Sequence, residues 1–187
     1  PYAIFVGRIT RQKGLAHLLR AWKEVPAEYG LVLAAGSPDE EGIGNEVAAL
    51  IAELQSTRSN VWWVKEMLPH DQLTAMLTAA DLFICPSIYE PLGIVNLEAM
   101  GCETAVLGSR VGGIPEVVAD KETGELVDYN GEAAPFEKAL AESITRLMSQ
   151  PELLKKYGAA GRVRAQKLFG WDAVAALTVD LYRKVIG

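Results

Sequence analysis

The chain of 187 residues predicts an α/β fold, a parallel sheet of six strands doubly wound by helices. Three observations carry that expectation. Short apolar runs alternate with longer amphipathic segments, the pattern of repeated strand–helix units. The apolar runs are continuous rather than alternating in polarity, which suits strands covered on both faces. Several runs end in glycine- or proline-containing loops rich in charged side chains. In such a sheet, ligands bind outside the carboxyl ends of the strands, where the strand order reverses.

The elements follow in order. Residues 2–7, Tyr2-Ala3-Ile4-Phe5-Val6-Gly7, open as a strand. A helix over 13–24 carries Leu15, Leu18, Leu19 and Trp22 at helical spacing, a core-facing stripe. His17 lies in that helix and reads as a packed or surface imidazole. A strand at 30–36 and a helix at 40–57 come next. A third strand at 61–65 places Trp62 and Trp63 on opposite faces, as packing groups rather than a ligand platform. A helix at 69–80, a strand at 81–85, a helix at 93–102, a strand at 104–108 and a short helix at 114–119 continue the alternation. A weaker strand at 124–128 precedes three helices, at 134–149, 151–168 and 171–186. The length suits one domain spanning residues 1–187 with a substantial core.

Composition narrows the classes of function. Half of the residues are apolar and 22% are charged, as in ordinary globular domains. A net charge of -6 argues against a nucleic-acid surface and does not favour an anionic membrane. No apolar run is long enough for a membrane-spanning helix, and the opening residues read as a strand rather than a signal peptide. The two cysteines, Cys85 and Cys102, lie in apolar surroundings, so a reduced, cytoplasmic protein is expected. Two histidines in unrelated segments and no Cys/His cluster argue against a metal site.

The chemistry concentrates in loops that follow strands. Asp81-Leu82-Phe83-Ile84-Cys85 leads into Pro86-Ser87-Ile88-Tyr89-Glu90-Pro91-Leu92-Gly93-Ile94-Val95-Asn96-Leu97-Glu98-Ala99-Met100. Pro86 stops the strand, Glu90-Pro91-Leu92-Gly93 turns, and a helix begins near Gly93. Glu90 therefore sits on a loop and Glu98 within the helix. Carboxylates beside a helix N-terminus would repel phosphate, so neutral groups such as sugar hydroxyls are their expected partners. After the first strand, Gly7-Arg8-Ile9-Thr10-Arg11-Gln12-Lys13-Gly14 gathers three cations in an acidic protein. It is neither a dinucleotide fingerprint nor a Walker loop. Taken alone it suits a basic solvated turn as well as a phosphate grip.

The spacing Glu-Pro-x-Gly-x-x-x-x-Glu-Ala at Glu90–Ala99, with Gly-Arg-x-x-x-x-Lys-Gly at Gly7–Gly14, resembles the signatures of retaining glycosyltransferases with the GT-B fold, in particular family 4. The resemblance covers nearly the whole chain and corresponds to the C-terminal, Rossmann-like half of such an enzyme, which implies an acceptor-binding N-terminal domain absent from this chain. It implies that Arg8 and Lys13 bind the donor diphosphate and stabilise the leaving nucleotide. Arg11 falls between the pattern positions. It implies that Glu90 meets a hydroxyl of the transferred sugar, that backbone N–H groups around Gly93 and Ile94 face the sugar and distal phosphate, and that Glu98 holds the ribose. Met67 and Leu68, in Lys65-Glu66-Met67-Leu68-Pro69, are candidates for packing on the nucleobase, although a loop–core contact fits them equally. Gly36 reads first as an ordinary turn. A front-face reaction is implied, in which the leaving phosphate helps to deprotonate the acceptor. Glu90 is not assigned as a double-displacement nucleophile, which would need two carboxylates astride the scissile bond.

Arg-Ile-Thr-Arg-Gln-Lys-Gly, Lys-Glu-Met-Leu-Pro and Tyr-Glu-Pro-Leu-Gly-Ile-Val-Asn-Leu-Glu-Ala-Met together most resemble glycogen synthases of the actinobacterial type. These use a nucleotide-diphospho-glucose, commonly ADP-glucose, to extend an α-1,4-glucan or to make maltose 1-phosphate. Gly112-Gly113-Ile114-Pro115-Glu116 also resembles family 4, but departs from the Thr-Gly-Gly-Leu form of classical starch and glycogen synthases. The partners implied are a nucleotide-sugar donor and a glucan acceptor, with no cofactor and no metal. A family 4 enzyme using a UDP- or GDP-sugar on another acceptor, and a non-catalytic nucleotide-binding module, remain the alternative readings.

Overall fold

The computed structural model describes residues 1–186 and contains the six expected strands. These are β1 (Tyr2–Ile9), β2 (Gly30–Pro38), β3 (Val61–Val64), β4 (Leu82–Cys85), β5 (Ala105–Ser109) and β6 (Gly124–Val127). All pairings are parallel, in the order β3-β2-β1-β4-β5-β6. The order reverses between β1 and β4, which opens a crevice beyond their carboxyl ends.

Alternation along each strand sends side chains into two cores. Ala3 and Phe5 of β1, with Leu82 and Ile84 of β4, face one core. Ile4, Phe83 and Cys85 face the other. Helices α1 (Leu15–Trp22), α2 (Glu41–Thr57) and α6 (Ala133–Met148) cover the first face. Helices α3 (His70–Ala79), α4 (Ile94–Gly101) and α5 (Ile114–Val117) cover the second. The stripe on α1 is wholly internal. Trp22 has no exposed surface, and its truncation to alanine should cost about 3–5 kcal/mol. Helix α7 (Pro151–Arg164) packs across the β5–β6 end, with Leu154 and Tyr157 buried.

Most boundaries shift by one or two residues from the sequence expectation, and some of the differences bear on the site or its frame. β1 and β2 continue past residues 7 and 36, through an irregularity after Gly7 that re-pairs Ile9 with Pro38. Arg8 is therefore strand-borne, and the true loop is shorter, Thr10 to Gly14. The segment 151–168 is not one regular helix: α7 gives way to a π-helical turn, Ala165–Phe169. At that junction the Arg164 guanidinium donates to the carbonyl oxygens of Val117 and Glu116, both at 2.8 Å, tying the helix end to α5. The last helix, α8 (Trp171–Ile186), buries none of its residues. Trp171 is 87% and Tyr182 61% exposed. Trp62 and Trp63 divide as expected: Trp62 is exposed, while Trp63 is half-buried and its indole N–H donates to the Ala35 carbonyl at 2.8 Å.

Candidate active site at the carboxyl edge of the sheet

Lys13 follows β1 and Glu90 follows β4, so the topology brings them together at the crevice. Lys13 Nζ lies 2.6 Å from Glu90 Oε2, and the two side chains are only 21% and 8% exposed. A carboxylate this buried needs a partner, since removing one member of a buried pair leaves an uncompensated charge. Glu90 has a second donor, the hydroxyl of Ser87, 3.2 Å from the same oxygen.

Glycines let the surrounding loops close on this pair. Gly14 sits at φ +66°, and a Cβ there would fall 1.9 Å from the Pro86 carbonyl oxygen. The first loop thus lies directly on the start of the Glu90 loop, joined also by Ile88 N–H to Gln12 O at 2.9 Å. Gly112, at φ +52°, makes an equally close approach to the Glu90 carbonyl oxygen, and the Gly113 N–H donates to that oxygen at 2.9 Å. The glycine pair Gly112-Gly113 thus lies directly on the backbone of Glu90 and Pro91. Ser109, at the end of β5, is buried and donates to the carbonyl of Ser87. Glu90 is thus fixed from both sides, by the first loop and by the loop after β5.

Gly93 initiates α4 in the left-handed region at φ +82°, and the Asn96 side-chain amide donates back to its carbonyl at 3.1 Å. In the first turn of α4 the Asn96 N–H donates to the Gly93 carbonyl at 2.9 Å, while the N–H groups of Ile94 and Val95 have no intrahelical partner. Ile94 is 61% exposed. Glu98 is exposed on α4, but lines a separate small pocket of about 200 Å³ with His70, Leu73, Thr74, Leu77, Gly101 and Cys102.

Arg8 pairs with Asp39 at 2.8 Å, with both side chains well solvated, so it is not bonded to Glu90. It lines instead a largely apolar cavity of about 450 Å³ at the ends of β1, β2 and β3, together with Gly36, Lys65, Glu66, Met67 and Leu68. Met67 is almost fully exposed at its rim and Leu68 is half-buried. Lys65 is drawn aside, its ammonium 4.2 Å from the Trp63 ring centroid. Arg11 leans towards α2, 4.0 Å from Glu40 and 3.7 Å from Glu46. His17 packs near Tyr129 and Phe136 and contacts Glu137 at 2.7 Å, the packed imidazole expected of it. A larger cavity, about 750 Å³, lies away from this edge between α1 and α6. Among the described residues no group of three or more His, Cys, Asp or Glu is placed to hold a metal ion.

The structure therefore divides the sequence-derived candidates among three places: the Lys13–Glu90 pair and the apolar cavity under Arg8 at the carboxyl edge, and Glu98 apart from both, in the pocket between α3 and α4. The sequence reading missed Ser87, Asp39 and Ser109. Only Ser87 carried a signal, a hydroxyl between the strand-stopping Pro86 and Glu90.

The open, doubly wound α/β sheet is a Rossmann-like architecture, and a cation and a buried carboxylate stand side by side at its switch point. The chain belongs to the glycosyl transferases group 1 family, whose model matches residues 1–164. It is 50% identical over 186 residues to alpha-maltose-1-phosphate synthase of Mycolicibacterium smegmatis, covering 99% of this chain and 48% of that protein. The chain thus spans about half the length of this relative. Among solved structures, sucrose-phosphate synthase from Thermosynechococcus elongatus superposes with a TM-score of 0.83 at 34% identity, over 100% of this chain and 45% of that one. Anabaena Alr3699/HepE, solved in complex with UDP-glucose, matches with a TM-score of 0.78 at 22% identity over 95% of this chain and 48% of that one, a likeness of fold. The relative at 50% identity is named for maltose 1-phosphate, where the sequence reading placed glycogen synthase first.

Proposed function

We propose that this chain is the donor-binding half of a retaining glucosyltransferase, which moves glucose from a nucleotide-diphospho-glucose such as ADP-glucose to a phosphorylated glucose, forming maltose 1-phosphate. The observation that carries the reading is the Lys13–Glu90 pair at the switch point, where a cation for a diphosphate and an acceptor for a sugar hydroxyl stand within one hydrogen bond. The half-length relative named for maltose 1-phosphate supplies the product. An upstream domain would complete the acceptor side, and a cytoplasmic setting suits the donor. No helix among the described residues is long and apolar enough to cross a membrane.

In this reading the nucleobase enters the cavity lined by Met67 and Leu68, and Glu98 takes the ribose hydroxyls. Arg8 and Lys13 turn from Asp39 and Glu90 towards the diphosphate. Their charge matters most as the sugar–phosphate bond breaks and negative charge builds on the leaving oxygen. Glu90 accepts a hydrogen bond from a sugar hydroxyl and fixes the ring. The leaving phosphate takes the acceptor's proton from the same face, so the new bond keeps the α configuration.

Incubating the full-length protein with ADP-, UDP- or GDP-glucose and either glucose 1-phosphate or a maltooligosaccharide tests this. Maltose 1-phosphate with an α linkage, seen by NMR, is the expected product. Extension of the maltooligosaccharide in its place would establish glycogen synthase activity, the second reading, which the motif likeness favours. No transfer under any combination would overturn both.

A further inference from the structure

The carboxylate of Glu90 is held asymmetrically. Both of its hydrogen-bond donors, Lys13 Nζ and Ser87 Oγ, act on Oε2. Among the described residues none bonds Oε1. In the proposed function Lys13 turns towards the diphosphate, which removes or divides the stronger of the two bonds at the moment when Glu90 must be correctly placed. The remaining donor is Ser87.

We propose that Ser87 is a positioning residue: it anchors Glu90 through Oε2 while the donor diphosphate draws on Lys13, and so leaves Oε1 to receive the sugar hydroxyl. This inference rests on the proposed donor site.

The surroundings suit that role. Ser87 is 1% exposed, so water competes little for its hydroxyl. Its backbone is fixed, because the buried Ser109 hydroxyl donates to its carbonyl. Its one neighbour other than Glu90 on the hydroxyl side is the Cys85 sulfur, 3.6 Å away. Either atom can donate across that contact; since the Glu90 carboxylate only accepts, the Ser87 hydroxyl donates to it and the Cys85 thiol is left to donate to the Ser87 oxygen. The single serine proton is then directed to Glu90. Cys85, Ser87 and Glu90 form a short hydrogen-bonded chain, ending on the accepting carboxylate, that runs from the end of β4 to the crevice. Lys13 closes it from the opposite side.

Ser87→Ala, Glu90→Ala and the double variant in the full-length protein test the proposal, with kcat and KM for glucosyl transfer and the Kd for ADP, UDP and GDP. Ser87→Ala is expected to lower kcat by about ten- to a hundredfold, the range of a lost hydrogen bond to a charged group. Its affinity for the preferred nucleoside diphosphate should stay within about twofold of the parent, because the serine touches neither cavity nor cation. In the Glu90→Ala background the same change should add almost nothing, since the serine acts through Glu90. A Ser87→Ala enzyme with undiminished kcat, a loss that adds in full to that of Glu90→Ala, or equal losses in kcat and diphosphate affinity would each overturn it. Crystal structures of the parent and Ser87→Ala with the preferred nucleoside diphosphate bound, so that Lys13 is drawn off Glu90, give a readout independent of turnover. The Glu90 carboxylate should leave its parent rotamer in the variant, and an unmoved carboxylate would also overturn the proposal. Failure of the functional reading looks different: Glu90→Ala would then transfer glucose as fast as the parent, or the parent would not transfer at all.

Discussion

Replacing Gly112 with alanine perturbs the scaffold that fixes Glu90 without touching any charged group. The added Cβ would stand 1.9 Å from the Glu90 carbonyl oxygen, whereas carbon and oxygen rest no closer than roughly 3.3 Å. One of the two loops must therefore retreat by more than about 1 Å. The left-handed backbone at φ +52° costs an L-residue about 1–2 kcal/mol. Loss of the 2.9 Å bond from Gly113 N–H to Glu90 O adds about 1 kcal/mol. The expected destabilisation is about 3 kcal/mol, read as a lower urea midpoint at unchanged slope. In the full-length enzyme a displacement of that size at Glu90 should slow transfer on the order of a hundredfold. A Gly112→Ala domain within about 0.5 kcal/mol of the parent would refute the claim that this loop braces Glu90.

Other expectations follow from the same structure. Lys13→Ala leaves the buried Glu90 carboxylate with Ser87 alone and should destabilise the domain by about 3 kcal/mol, measured by urea unfolding. Gly14→Ala should cost at least as much as Gly112→Ala, because its Cβ would meet the Pro86 carbonyl at 1.9 Å with φ +66°. At Glu125, desolvation pushes the carboxyl up, but its bonds to Arg146 and Lys121 outweigh this and hold it below the ordinary range. The folded value thus lies under the unfolded one, about 4.3. The stabilisation is complete above that value and is lost as pH falls through the folded one. Stability measured between pH 6 and pH 3 (both rough bounds for this window) should fall steeply in the parent and less so in Glu125→Gln. Removing α8 by ending the chain at Gly170 should change the stability of the remaining domain by no more than about 1 kcal/mol, because none of its residues is buried.

Much of this was legible because the strand signal was local. Continuous apolar runs such as Leu82-Phe83-Ile84-Cys85 could only be strands covered on both faces, and the stripe Leu15, Leu18, Leu19, Trp22 named the inner face of its helix. The loops after strands followed from the same alternation, so Lys13 and Glu90 were both placed at the carboxyl edge before their contact was known. Tertiary choices were hidden. The continuation of β1 through Arg8 depends on its re-pairing with β2, which no local pattern announces. The partner of Arg8, Asp39, lies 31 positions away and is visible only once β1 and β2 lie side by side. That Gly112 and Gly113 lie on the backbone of Glu90 and Pro91 was also hidden, because a glycine pair records that something comes close, not what. The break after Arg164 reflects where α7 meets the α5 carbonyls, a contact across 47 residues. The signal of Ser87, a hydroxyl between Pro86 and Glu90, gains its meaning only when the fold sets it against the Glu90 carboxylate.

The central claim is that the carboxyl edge, through Lys13 and Glu98, binds a nucleoside diphosphate. Titration calorimetry of the full-length protein with ADP, UDP and GDP, repeated with Lys13→Ala and Glu98→Ala, tests it most directly. One diphosphate should bind in preference to the others, with at least about tenfold weaker affinity in each variant, as expected for the loss of a charge-assisted contact. Undiminished binding in both variants would place the nucleotide elsewhere and contradict the account.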